Sequence, residues 1–104
     1  MAGSDDHARR CQKLFEESAM LRSSAIRSQL MTVRTFCDLA EFEVQREANN
    51  EARMILTRIR KALSVIDRHL RKPGHVPRSE FENLAHLYVD LMVRVQRIET
   101  ALDS

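Results

Sequence analysis

Glycine and proline are nearly missing from this chain: it holds two of each, and none of either between Ser4 and Lys72. Without residues that favour left-handed or fixed backbone angles, so long a run has few places to turn. Tryptophan is absent and aromatic residues make up 5% of the 104, while Arg, Leu, Ala and Glu, all good helix formers, dominate. This composition excludes a strand-rich fold and predicts an all-α one.

Long apolar runs are lacking too. None approaches the roughly 20 residues that cross a bilayer, so no membrane contact is expected. The opening MAGSDDHARR has neither the hydrophobic core of a secretion signal nor the acid-poor character of a transit segment. A cytoplasmic location is expected. Two cysteines, Cys11 and Cys37, are too few for a disulfide framework and are read as reduced thiols.

What the chain does have is 43% hydrophobic and 31% charged residues, enough to bury a core in a single helical domain over 1–104. The formal charge of +2 hides a segregation along the sequence. Residues 53–78 hold eight basic side chains and one acid, a balance of +7, and the remainder holds nine basic and fourteen acidic ones, a balance of −5. Basic and acidic surfaces are therefore expected to lie apart.

Periodicity divides the chain into three helices. Pro73 and Gly74 end one, so residues 72–78 read as a loop. Ser79 and Glu82 have the spacing of a capping box, which starts the next helix at about 79 and runs it to about 103. Phe81, Leu84, Tyr88, Leu91, Val95, Ile98 and Leu102 then recur three and four apart, the seam of a coiled-coil-like face. Ala52, Leu56, Ile59, Leu63, Ile66 and Leu70 repeat that alternation over about 51–71. The short loop makes these two helices antiparallel neighbours.

The first helix, about 5–47, reads differently. Cys11, Phe15, Ala19, Ile26, Val33, Cys37, Ala40 and Val44 stay within about 40° of one line at 100° per residue, the period of a straight helix. Leu14, Leu21, Ala25, Phe36 and Leu39 widen that stripe. Continuing through REANNEAR, residues 46–53, would swing the stripe by roughly 100° before Ala52. A turn at 47–50, with Asn49 and Asn50 as capping residues, removes the conflict; the competing arrangement is one unbroken helix from Asp5 to Lys72. The predicted fold is an antiparallel bundle of three helices with an extended first helix, and the alternative is a four-helix bundle with a break near Ser23-Ser24.

In the favoured fold the lengths do not match. At 1.5 Å per residue the first helix spans about 65 Å and its successors about 33 and 37 Å. Roughly half of it overhangs, exposing Leu14, Phe15 and Leu21. Met20, Met31 and Phe42, eleven apart, fall on the face opposite Val33. These six residues are the candidate self-association surface, and a symmetric dimer is the expected partner state, with a different protein as the other occupant of that surface.

Sites for chemistry are sparse. Cys11 and Cys37 suit core packing better than nucleophilic work, which needs a neighbouring histidine or positive charge. His7 and Cys11 share a helix face, with Cys37 or His69 as further metal ligands only if folding brings them close, so no metal and no cofactor are expected. Neither a glycine-rich phosphate loop nor a Gly-x-Ser-x-Gly elbow nor an HExxH pair occurs. No enzyme is expected. Arg68, Arg71, Lys72 and Arg78 cluster around the loop as candidate anion ligands, although cations there also suit the negative end of a helix dipole.

Two functional readings follow. The first is a non-enzymatic interaction or scaffold module that self-associates. The second is a nucleic-acid-binding protein, whose basic end would combine helix 2, the loop after it and the acid-free middle of helix 1, with Arg22, Arg27 and Arg34. Finally, Phe36, Leu39, Ala40, Ala52 and Leu56 are similar in type and spacing to the packing positions of a single tetratricopeptide repeat, which would imply a peptide-binding hairpin. Glu43 stands where that repeat has an aromatic, the turn lacks glycine and no second copy follows, so the resemblance is one between helical hairpins.

Overall fold

The long stretch without glycine or proline, residues 4–72, forms helix as far as Arg71 except for one turn at 46–48. A computed structural model describes the backbone of residues 2–104 and the side chains of 5–104; Met1, the first residue of the expected 1–104 domain, lies outside it. Helix α1 spans Ala2–Gln45, α2 Asn49–Arg71 and α3 Arg78–Asp103. The fold is an all-α three-helix bundle in which α2 runs back along α1 and α3 back along α2.

The core is a set of interlocking seams. From α2 come Ala52, Leu56, Ile59, Leu63, Ile66 and Leu70, all buried as their alternation predicts. Helix α3 adds Leu84, Leu91, Val95, Ile98 and Leu102, with Tyr88 partly buried. Phe81 was expected to begin that seam. It is 45% exposed instead, because it lies in the first turn of α3, beside the loop.

Helix α1 departs further from expectation. Its inward side chains are Ala19, Ser23, Ile26, Leu30, Val33, Cys37 and Ala40, then the half-buried Val44, and they alternate four and three apart. This is a heptad seam like the other two, not the straight stripe predicted. Leu30, absent from that stripe, is fully buried, while Cys11 and Phe15, which began it, are exposed. Only the part of α1 with neighbours obeys the packing rule. Carried backwards, the seam meets Glu16 and Gln12, so burial stops at Ala19. The helix itself is unbroken at Ser23-Ser24, and the four-helix alternative falls.

The turn between α1 and α2 occupies residues 46–48, slightly earlier than predicted. The Ala48 amide donates to the Glu43 carbonyl at 2.9 Å and the Glu47 amide to the Val44 carbonyl at 3.0 Å, the paired bonds of a Schellman cap. Asn49 and Asn50 do not cap; they sit inside α2, whose N-cap is Ala48, with no side-chain bond. The cap instead needs a left-handed residue, and Glu47 takes φ 63° to supply it. A side chain in that region costs on the order of 1 kcal/mol that glycine avoids. Glu47→Gly is therefore expected to raise the unfolding free energy by about 0.5 to 1 kcal/mol, seen as a higher urea midpoint at unchanged slope.

The α2–α3 loop turns at Gly74, φ 70°, as its Pro-Gly pair predicts. The expected capping box does not form. Pro77, with φ near its natural value, is the N-cap of α3, so the helix starts at Arg78 and Ser79 already lies within it. The loop then folds onto α1. Val76 enters the core, and Arg22 Nε donates to the His75 carbonyl at 2.6 Å.

That contact sets where α1 leaves the bundle. Every described residue from Asp5 to Ser18 is exposed. The projecting 2–18 segment is about 26 Å long, roughly two-fifths of the helix rather than half, and it draws the molecule out to 70 × 17 × 16 Å.

Candidate functional site

Surface, not cavity, is what this fold offers. The six residues of the candidate association surface are all exposed, but they divide into two groups. Phe15 and Met20 turn toward the loop, where with Ala19, Gly74, Val76 and Pro77 they line a groove of about 400 Å³. The Phe15 ring lies beside Gly74, 3.7 Å from where a Cβ would stand. Leu14, Leu21 and Phe42 lie away from this groove, on the outward side of α1, and Met31 flanks them.

The candidate anion ligands are only partly brought together. Arg71, Lys72 and Arg78 line a second groove on the other side of the loop, with Leu70, Pro73 and Phe81. Arg68 is not part of that lining, and Arg71 already grips the Asp67 carboxylate one turn away, at 2.9 and 3.0 Å. Beside the loop the rings of His69 and His75 stack at 5.1 Å. Burial, with Arg22, His69 and Lys72 nearby, holds His75 below the usual histidine range, which favours its neutral form.

Other cations serve as cross-links between helices. Arg27 pairs with Glu80 at 2.7 Å and Arg60 with Glu99. The densest group joins α3 to α1: Arg94 binds both Glu41 oxygens, at 2.7 and 2.9 Å, and also Asp38. The Arg94 hydrogen bonds hold the Glu41 carboxyl below its ordinary range. The carboxylate prefers the folded state, so this contribution is present above about pH 4.3 and is lost as pH falls through the lowered folded value. Arg94→Met is expected to be less stable than the parent at pH 7 and to lose less on acidification to about pH 3, with urea midpoints at both pH values as the measurement. The sequence spacing gave no sign of this trio, because its members come from helices more than fifty residues apart.

The two thiols stand in different settings. Burial raises the Cys37 thiol above its ordinary range, against a smaller opposing effect of Arg94. Cys11 Sγ lies 3.8 Å from His7 Nε2 on the projecting part of α1. Cys37 stands about 39 Å further along the same helix, too far to join them. Among the described residues no group of three potential metal ligands comes together. Nor, among those residues, is any helix long and apolar enough to cross a membrane.

Comparison of the chain with protein-family models, curated proteins and solved structures gives no match.

Proposed function

We propose that this chain is a non-enzymatic interaction module of the cytoplasm, needing no cofactor, that self-associates as a dimer through the exposed side of α1. The observation that carries the reading is the projecting segment itself. An isolated helix of some seventeen residues is marginal in water, and here it is prolonged by a bundle that leaves Leu14 uncovered, with Leu21 exposed two turns further along the same outward side. Contiguous exposed apolar side chains of this kind usually mark an interface.

Nucleic-acid binding has less support. Arg53, Arg60 and Arg71 from the basic stretch, and Arg27 from the middle of α1, are engaged by carboxylates. Each such pair subtracts from the charge a phosphate backbone would meet. Sedimentation of the intact chain tests the main reading. The expected mass is twice the 12.1 kDa of one chain, falling toward one chain on dilution. A single-chain mass at about 100 μM, or retardation of random duplex by micromolar protein at low salt, would overturn it.

A further inference from the structure

The outward side of α1 carries a second heptad seam. Starting at Cys11, positions three and four apart fall on Leu14, Ser18, Leu21 and Ala25, then on Ser28, Thr32, Thr35, Leu39 and Phe42. All ten are exposed. None is charged, although charged residues make up 31% of the chain. In heptad geometry this line lies on the order of 150° from the buried seam, on nearly the opposite side of the same helix.

Two of its four hydroxyl-bearing members, the threonines, are adapted to burial. Thr32 Oγ1 donates to the Ser28 carbonyl at 3.1 Å, and Thr35 Oγ1 to the Met31 carbonyl at 3.2 Å. Both hydroxyls are already satisfied by their own helix, so covering them strands no donor. The apolar weight sits at the two ends of the line, where Leu14 is 63% exposed, Leu21 72%, Leu39 44% and Phe42 52%.

We infer that this seam is filled by the same seam of a second copy, running antiparallel, with Leu14 against Leu39 and Cys11 against Phe42 of that copy. The inference rests on the self-association reading and gives it a geometry. A line from residue 11 to 42 is about 47 Å long and calls for a helix at least as long. Helices α2 and α3, at about 35 and 39 Å, fall short, whereas α1, with 44 residues, does not. The strip covers on the order of 500 Å² in projection, and side-chain relief takes it toward the roughly 800 Å² per partner of a stable interface.

Charge selects the direction. Residues 5–17 hold three basic and four acidic side chains, a balance of −1, leaving fourteen basic and eleven acidic ones, +3, in the rest. With Leu14 against Leu39, residues 5–17 lie along residues 36–48 of the other copy, where Asp38, Glu41, Glu43 and Glu47 outnumber Arg46 for a balance of −3, so an antiparallel pair sets −1 against −3. A parallel pair sets −3 against −3 over those residues, which repels more.

Cysteine cross-linking reads the register directly. Under a mild oxidant such as copper phenanthroline, two facing thiols lose two protons and two electrons to the oxidant and form a disulfide. Phe42→Cys is expected to give a covalent dimer through Cys11 of the other copy, in high yield, while the unaltered chain does not. Leu14→Cys combined with Leu39→Cys, which keeps Phe42, is expected to do the same. Ready dimerisation of the unaltered chain through Cys11 would indicate the parallel arrangement and overturn the inference. A doubled sedimentation mass without cross-linking in either variant would also overturn it, leaving self-association intact; a single-chain mass removes both.

Discussion

Leu30→Ala is expected to lower the unfolding free energy by roughly 3 to 5 kcal/mol, the largest stability loss among the substitutions considered. Leu30 is fully buried, midway along the packed part of α1, between Ile26 and Val33 of the same core cluster. Truncation removes three carbons from close contact and leaves a cavity that helices tied by short turns close only in part. Calorimetric or urea unfolding measures the loss. A loss below about 1 kcal/mol would place Leu30 outside the tight core. Helix content below the transition should change little, since leucine and alanine are both good helix formers.

Leu14→Glu combined with Leu21→Glu is expected to abolish self-association and leave unfolding of the single chain nearly unchanged. Both side chains are exposed in the isolated chain, so the substitutions remove no intramolecular packing. At an antiparallel or a parallel α1 contact alike, two carboxylates per copy would enter an apolar strip and lose hydration without a partner. The sedimentation mass should drop to one chain at concentrations where the parent is paired. A retained doubled mass would remove this side of α1 from the proposed interface. Arg34→Glu, also an exposed change on α1 but on neither seam, serves as the control and should keep the parent's mass.

Leu30 also shows how far the sequence can be read. The core face of α2 was legible, its six positions all emerging buried, because the helix has a partner along its whole length and its exposed apolar residues, Met54 and Val65, fall outside the three-and-four alternation. Helix α1 carries apolar residues both toward its neighbours and away from them, and fitting one straight line through them mixed the two. Cys11 and Phe15 were drawn onto the inward side and Leu30 was left off it. The alternation from Ala19 to Val44 was present in the letters, but only knowledge of where the neighbours end separates it from what precedes. Cap chemistry misled twice for a different reason. Asn49, Asn50 and Ser79 have the right side chains, yet backbone geometry was decided by Glu47 and Pro77, which place the helix ends one to three residues away. The Arg94 trio was illegible, since a pairing across helices depends on their relative rotation.

The clasp of the loop on α1 at Arg22 and His75 gives one continuous helix two different lifetimes. Amide hydrogens beyond Ala19 are released only when the bundle opens, because their helix is the wall of the core. Those in the first four turns are held by local bonds alone and exchange whenever the tip frays. A second chain lying along that tip would slow their exchange, without any change in fold.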